Sequence, residues 1–235
     1  MLQKSLLLGC FLFLLFSVNA QLQEDFSDGE LLNNPPWIGE LGLFQVNTNL
    51  ELQSNGPAAS DVLHLSTVNT EFGETEWRLK INYAFAPSTS NQIRIYLASD
   101  QADLEGPLNG YYVGVGESGS NDSYDLFRQD GTTSTKIIDG IDGRAANMVG
   151  GIIKVLRDSQ GNWSLLTDLN ASSSFQLEGD TLDLTYTMTS HFGIWIKHSS
   201  TRAQSFFFDD IYIGPEILDT MPPLPLSVSV LSLDE

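Results

Sequence analysis

Acidic side chains occur at both ends of the region that holds most of the apolar residues. Glu24, Asp25 and Asp28 lie near its start, and Asp209 and Asp210 lie near its end. Carboxylate oxygens suit calcium, which takes six to eight oxygen ligands. One of the two later aspartates interrupts an apolar run, so it would be buried at a cost unless it had a partner. We predict a structural calcium ion bound by Glu24, Asp28 and Asp209. The alternative is that Asp209 accepts hydrogen bonds from the protein while Asp210 faces water.

A second group of residues is suited to binding sugars. Trp195 alternates with the apolar residues of its segment, and Arg94 and Tyr96 do the same in theirs. In a strand this alternation directs the three side chains away from the core. Sugar rings stack on exposed aromatic rings, and neighbouring polar groups fix their orientation. If the two strands share a sheet, the three residues form a ligand-binding face. The alternative is that loops cover this face and the residues only pack.

Residues 178–183 are the candidate for glycoside hydrolysis. That reaction uses two carboxylates about 5 to 10 Å apart. Glu178 and Asp183 bracket the segment, but its glycine favours an acidic turn before a strand at residues 182–188. No histidine has a serine or cysteine partner at a recognisable spacing; the histidines are His64, His191 and His198. We therefore predict that the chain is not an enzyme.

Strands must position all of these residues. In residues 75–83 every second residue is apolar, which predicts a strand with Trp77 facing inward. Trp163 has the same parity in its own segment and is predicted to be buried as well. Further strands are predicted at residues 92–98, 110–116, 124–129, 151–157, 162–168, 181–188, 192–198 and 204–213. Residues 158–161 predict a hairpin turn. The sequence thus predicts an all-β fold, a two-sheet antiparallel β-sandwich or jelly roll over residues 21–214.

The composition excludes several classes of function. The chain has 11 Lys and Arg residues against 30 Asp and Glu residues, a formal net charge of −19. Such a charge repels nucleic-acid phosphates and anionic membrane surfaces. We therefore expect no nucleic-acid partner. The hydrophobic fraction of 41% is sufficient for a packed core.

Residues 1–20 have the pattern of a secretory signal peptide. Lys4 precedes a short apolar run, and small residues lead to Ala20. The run is shorter than the ~20 apolar residues that span a bilayer. We expect cleavage after Ala20 and a secreted protein, free or attached to the outer cell surface, with no membrane insertion. A lipoprotein signal at Cys10 is the alternative. Cys10 is the only cysteine, so the cleaved chain would contain no disulfide.

The composition changes after residue 214. Residues 215–225 include four prolines and predict an extended linker. Apolar and polar residues alternate again from Leu226. A lone strand cannot bury its apolar face, so residues 226–235 are predicted to begin an immunoglobulin-like domain of a longer chain.

Five segments, in their order along the chain, resemble a known family. They are EDFSDG at 24–29, PWIG at 36–39, YDLFRQDG at 124–131, RDSQGNW at 157–163 and FDDIYIG at 208–214. Together they resemble the N-terminal concanavalin A-like jelly-roll domain of large secreted proteins from Bacteroidetes, in which immunoglobulin-like and lamin-tail modules often follow. The resemblance implies a non-catalytic surface or secreted module. It also implies that the first and last strands pair, which would bring Glu24 and Asp28 towards Asp209.

Two functions follow from these observations. The first is the binding of carbohydrate or another surface polymer through the face around Trp195, with downstream modules of the same chain as further partners. The second is an architectural role as a spacer or adhesin domain. Exposed aromatic rings around Trp195 would favour the first, and a covered face would favour the second. A glycoside hydrolase is the third and weakest alternative.

Overall fold

The computed structural model describes residues 21–218, apart from Ala84, Ser120 and Met148. The expected signal peptide, Cys10, the linker from residue 219 and the domain expected at 226–235 lie outside the described residues. A 3-10 turn at Leu41–Leu43 is the helical element of the described part. The strands are β1 (Leu22–Glu24), β2 (Trp37–Gly39), β3 (Phe44–Val46), β4 (Leu52–Ser54), β5 (Asp61–Val68), β6 (Thr75–Tyr83), β7 (Gln92–Ser99), β8 (Leu108–Val115), β9 (Asp125–Gly131), β10 (Thr133–Ile138), β11 (Val149–Arg157), β12 (Asn162–Asp168), β13 (Gln176–Leu182), β14 (His191–His198) and β15 (Phe207–Gly214).

These strands form two antiparallel sheets. The eight-stranded sheet has the order β13-β12-β11-β6-β15-β4-β3, with β1 also pairing with β15. The seven-stranded sheet has the order β10-β9-β8-β7-β14-β5-β2. Their inner faces enclose one large apolar core. The predicted two-sheet antiparallel sandwich is confirmed.

The core explains why period-two segments form these strands. In β6, Trp77, Leu79 and Ile81 are buried while the residues between them face outward. Trp77 stacks on Trp163 of β12, with ring centroids 5.6 Å apart, so both predictions of a buried tryptophan are confirmed. Burying a large aromatic side chain contributes roughly 1.5–3 kcal/mol. The two rings therefore stabilise the eight-stranded sheet from its centre.

The hairpin predicted at residues 158–161 joins β11 to β12. The Asp158 N–H donates to the Asn162 carbonyl at 3.0 Å, and the Asp158 carboxylate accepts the Asn162 N–H at 2.9 Å. Gly161 has φ +84°, a left-handed conformation that glycine adopts without strain. The turn geometry accounts for the acidic and polar residues of this loop.

The strand predicted at residues 181–188 is wrong. The strand of this region is β13, which begins at Gln176 and ends at Leu182. Glu178 faces the interior, whereas Leu182, Leu184 and Met188 are exposed. Apolar alternation therefore indicated the wrong residues as the strand, because here the buried position holds a charge.

The first and last strands pair, as the resemblance implied. Leu22, Gln23 and Glu24 are opposite Ile213, Tyr212 and Ile211. A register shift between Asp209 and Tyr212 marks a bulge in β15, and Asp210 within it has φ +50°. Bulges re-aim side chains at the point where they occur.

In the described part, no helix is long and apolar enough to cross a membrane.

Candidate functional site

A polar groove of about 700 Å³ lies over the bulge in β15. Residues from β1, from the loop that follows it and from the bulge line the groove, and β6 contributes part of its floor. The connection between β12 and β13 and the segment after β15 also line it. Its lining includes Asp25, Asp28, Arg78, Lys80, Phe175, Asp210 and Tyr212. We call this the polar groove.

Two aromatic rings belong to the polar groove. Tyr212 is almost fully buried, and its hydroxyl donates to the Pro215 carbonyl at 2.6 Å. The Arg78 guanidinium lies 5.5 Å from the Tyr212 ring centroid. Phe175 is half-buried on the loop before β13, with the Lys154 ammonium 5.5 Å from its ring centroid. Phe175 is therefore the ring more accessible to a ligand.

Carboxylates form the rim of the polar groove. Asp25 and Asp28 accept the backbone N–H groups of Ser27 and Glu30 at 3.0 and 3.1 Å, which fixes the direction of both carboxylates. Asp210, at the bulge, is exposed and also lines the groove. This rim presents hydrogen-bond acceptors to anything that enters.

Two cations form part of the floor and are already paired. Arg78 Nε lies 3.4 Å from Glu76 Oε1, and Lys80 Nζ lies 3.1 Å from Asp209 Oδ2. Glu76 is fully buried and also faces the Lys154 ammonium at 3.3 Å. Buried charges require such partners. These pairs hold the donor groups of Arg78 and Lys80 in place on the floor.

The three residues expected to bind calcium are satisfied by the protein. The Glu24 carboxylate is buried and accepts the Phe26 N–H at 2.7 Å and the Trp37 indole N–H at 3.3 Å. Burial raises the pKa of Glu24, although these hydrogen bonds oppose the rise. Asp209 accepts from Lys80, which is the alternative stated for it.

Calcium binding by Glu24, Asp28 and Asp209 stays a prediction, although β1 and β15 pair. Among the described residues, the group of three His, Asp or Glu side chains with ligand atoms within 4.8 Å of one another is Glu40, His64 and Glu105. Glu24, Asp28 and Asp209 are not brought together in this way. Lys80 supplies the positive charge beside Asp209 that calcium was expected to supply.

Trp195, Arg94 and Tyr96 do share one face of the seven-stranded sheet. Trp195 is opposite Arg94 in the pairing of β14 with β7, and the Arg94 guanidinium lies 4.5 Å from the Trp195 ring centroid. Trp195 is only 7% exposed and Tyr96 is 0% exposed. Leu104 and Leu108 complete a second apolar cluster over them. The orientation of these residues is as predicted, but Leu104 of the β7–β8 connection and Leu108 at the start of β8 cover them.

Beside this cluster lies a small cavity of about 70 Å³, whose wall includes Glu117 and Asp125. The Lys136 ammonium lies 2.8 Å from Asp125 and 3.1 Å from Glu117. Burial opposes the charged form of Lys136, but its hydrogen bonds to carboxylates outweigh this and raise its pKa. The cavity is close to the volume of two water molecules, so a sugar ring does not fit.

The carboxylates considered for hydrolysis are held by arginines. Glu178 is buried and lies 3.0 Å from Arg144 Nε, and Asp183 lies 2.6 Å from Arg128. Tyr111 also donates to Asp183 at 2.7 Å. These contacts tie loops to strands, which is a structural role.

Neither a family model nor a curated protein matches the chain by sequence. Solved structures do match its fold. The VIP36 exoplasmic/lumenal domain, in a Ca²⁺- and mannose-bound form, has a TM-score of 0.58 at 10% identity, covering 93% of this chain and 99% of that one. The legume lectin-like domain from Entamoeba histolytica has a TM-score of 0.54 at 11% identity, covering 78% and 90%.

A third similar structure is the carbohydrate recognition domain of Emp47p. Its TM-score is 0.50 at 10% identity, covering 84% of this chain and 94% of that one. At such identities the similarity concerns the fold alone. The chain has a concanavalin A-like, legume-lectin-like jelly-roll fold.

Proposed function

We propose that this protein is an exported, non-catalytic module that binds a short carbohydrate in the polar groove. The proposal rests on three features of the groove: its volume of about 700 Å³, the carboxylates on its rim, and the half-buried Phe175 ring in its lining. Ligand sites of roughly 300–1,000 Å³ hold small molecules and place a few polar groups among apolar ones. The lectin fold and the mannose-bound VIP36 domain support the same class of ligand.

The chemistry of the groove matches sugar hydroxyls. Asp28 and Asp210 accept hydrogen bonds from hydroxyl groups, and Arg78 donates them. Phe175 offers an apolar ring against which the C–H face of a pyranose packs. The polar groove therefore combines both contacts that a sugar requires.

The charge of the groove favours neutral sugars over acidic ones. Asp25, Asp28 and Asp210 line it, while Arg78 and Lys80 are already paired with carboxylates. A uronic acid would add a further anion beside these carboxylates, in a protein with a net charge of −19. We therefore assign neutral or amino sugars as the ligand class.

The cellular context is part of the same proposal. Export through residues 1–20, a Bacteroidetes multidomain surface protein and downstream modules after the linker come from the sequence patterns described above. A structural calcium ion is supported by the Ca²⁺-bound VIP36 domain, but the ligand atoms of Glu24, Asp28 and Asp209 do not lie within 4.8 Å of one another. We therefore include no calcium in the binding step.

Affinity electrophoresis of the purified chain through gels of neutral and acidic polysaccharides tests the proposal. We expect retardation by a neutral polymer and none by a polyuronate. Phe175→Ala is expected to weaken binding about 2- to 13-fold, because ring stacking contributes ~0.5–1.5 kcal/mol. Asp210→Asn removes a charge yet keeps a residue type that tolerates φ +50°, so it tests the rim without backbone strain.

Leu177→Ala is the matched control, because Leu177 is 48% exposed on β13 and does not line the groove. Arg94→Gln tests the face around Trp195. If Arg94→Gln abolishes retardation and Phe175→Ala does not, the site lies on the seven-stranded sheet and the groove assignment is wrong.

The covered face around Trp195 favours the architectural alternative. The absence of retardation by any neutral polymer would contradict glycan binding and support that role. Release of reducing ends from a retarding polymer, lost in Asp28→Asn or Asp210→Asn, would contradict the non-catalytic assignment.

A further inference from the structure

A histidine surrounded by carboxylates lies on the seven-stranded sheet, away from the polar groove. His64 of β5 is opposite Trp195 of β14 and is almost fully buried, with 12% of its side chain exposed. Its Nδ1 atom lies 3.7 Å from Glu40 Oε2 and 3.5 Å from Glu105 Oε1. Nδ1 is buried and has no hydrogen-bond partner within the described part of the chain. From this geometry we propose that Glu40, His64 and Glu105 bind a transition-metal ion, Zn²⁺ in the first instance.

The separations between the ligand atoms match a tetrahedral site. Zinc binds histidine nitrogen and carboxylate oxygen at ~2.0–2.1 Å, so two ligands of a tetrahedral ion lie ~3.3–3.4 Å apart. The Nδ1–oxygen separations of 3.5 and 3.7 Å exceed this by a few tenths of an ångström. Small movements of the Glu40 and Glu105 side chains, which are 34% and 46% exposed, close these differences. Water completes the coordination, as it does at other sites with three protein ligands.

The ligand types favour zinc over calcium. Calcium takes six to eight oxygen ligands, whereas an imidazole nitrogen suits zinc and related metals. The ion would also bring positive charge to two carboxylates that face one buried ring nitrogen. A divalent ion therefore serves both the unpartnered nitrogen and the nearby negative charges.

Neighbouring groups already hold the ligands in position. Glu40 Oε2 accepts the His64 backbone N–H at 2.9 Å, and the Glu40 N–H donates to the His64 carbonyl at 3.1 Å. The other ring nitrogen, Nε2, lies 3.9 Å from Asp103 Oδ1. Histidines that bind metals usually present their second N–H to a carboxylate, which orients the ring. Asp103 is placed to take that role once the ring is fixed.

The site would join the loop over the second apolar cluster to the sheet below. Glu105 follows Leu104, which is 2% exposed and packs in the cluster that includes Trp195. His64 belongs to β5 and Glu40 follows β2. Metal binding would therefore pin the β7–β8 connection to the edge of the seven-stranded sheet, and so it would raise the thermal stability of the chain.

Calorimetric titration of the chelator-treated chain, without a polyhistidine tag, tests this proposal. We expect one Zn²⁺ ion to bind per chain, more tightly than Ca²⁺, and to raise the melting temperature. Glu105→Gln is the main variant because its side chain is half-exposed, and we expect at least about a tenfold loss of affinity and no thermal shift. Asp103→Asn is expected to weaken binding about 10- to 100-fold through the ring orientation.

Two controls separate this site from adventitious binding. Glu74→Gln removes an exposed carboxylate elsewhere, and His191→Gln removes another histidine; both should bind Zn²⁺ as the parent chain does. His64→Gln should abolish Zn²⁺ binding. If the His64→Gln chain fails to fold, the loss of Zn²⁺ affinity in Glu105→Gln tests the proposal on its own.

Absence of saturable binding at millimolar Zn²⁺ would overturn the proposal and leave His64 with a purely structural role. Zn²⁺ binding that survives Glu105→Gln, or binding of Ca²⁺ alone, would overturn it equally. None of these outcomes depends on whether a sugar binds in the polar groove.

Discussion

Glu178 provides the most direct test of whether its buried carboxylate is structural or catalytic. Its side chain is fully buried, and it accepts the Arg144 Nε–H at 3.0 Å and the Ile141 N–H at 3.2 Å. The Thr167 hydroxyl donates to it as well. Glu178 therefore ties the loop around residues 141–144 to β12 and β13. We predict that Glu178→Ala destabilises the protein strongly.

The expected magnitude follows from the burial of the pair. Removing one member of a buried ion pair costs about 3–5 kcal/mol, because the remaining charge loses its partner. Arg144 keeps 21% of its side chain exposed, so water offsets part of that cost. We expect the lower end, about 3 kcal/mol. For a domain of this size each 1 kcal/mol lowers the melting temperature by about 2–4 °C, which gives a decrease of about 6–12 °C.

Urea denaturation of four chains measures this effect: the parent, Glu178→Ala, Arg144→Ala and the double variant. If the two residues act as a pair, the double variant loses less than the sum of the single variants by about 0.5–3 kcal/mol. Glu74→Ala, on an exposed position, serves as the control and should stay within about 0.5 kcal/mol. A loss below about 1 kcal/mol for Glu178→Ala would refute the structural role. Polysaccharide hydrolysis that disappears in a stable Glu178→Gln variant would assign catalysis to it instead.

Two further predictions concern the carboxylate of Asp183 and the positive φ of Gly151. Burial opposes ionisation of Asp183, but hydrogen bonds, the largest from the Tyr111 hydroxyl, outweigh it and lower its pKa. Its contribution to stability is therefore present above the unfolded pKa of about 3.9 and is lost as the pH falls through the lower folded pKa. Asp183→Asn should therefore reduce the pH dependence of the melting temperature below about pH 4. Gly151 has φ +119°, and a Cβ there would lie 2.4 Å from the Asp168 carbonyl oxygen; we expect Gly151→Ala to cost about 2 kcal/mol or more in urea denaturation. Gly143→Ala, at φ +78° with nothing within 4 Å, should cost about 1 kcal/mol, and equal losses at the two glycines would contradict the steric argument.

Several long strands were predictable because they bury one face, whereas β5 (Asp61–Val68), which is eight residues long, was not predicted. Residues 75–83 and 162–168 were predicted as strands with the bounds that β6 and β12 have. The short strands at the sheet edges were not predicted, for example β2 and β3, which have three residues each. Three residues cannot show a period of two, so the pattern carries no signal at such positions.

The interpretation of Trp195 shows what alternation leaves out. Its parity relative to Ile194 and Ile196 correctly placed its ring on the outer face. Parity contains no information on what covers that face. Here Leu104 of the β7–β8 connection and Leu108 at the start of β8 cover it. Orientation was therefore predictable from the sequence, but exposure was not.

The two candidate sites depend on pairings that are distant in sequence. The polar groove forms because β1 pairs with β15, which brings the loop bearing Asp28 to the bulge at Asp210. The resemblance implied that pairing, and the prediction then placed calcium where Lys80 supplies the charge. The sequence indicates the His64 site only weakly. Alternation with Leu63 and Leu65 places His64 on the outer face, but it does not identify Glu40 or Glu105 as its neighbours. A ligand set drawn from three separate segments becomes visible only when the pairing and the β7–β8 connection are known. In this chain both candidate sites combine residues of regular strands, His64 of β5 and Arg78 of β6, with residues from bulges and loops.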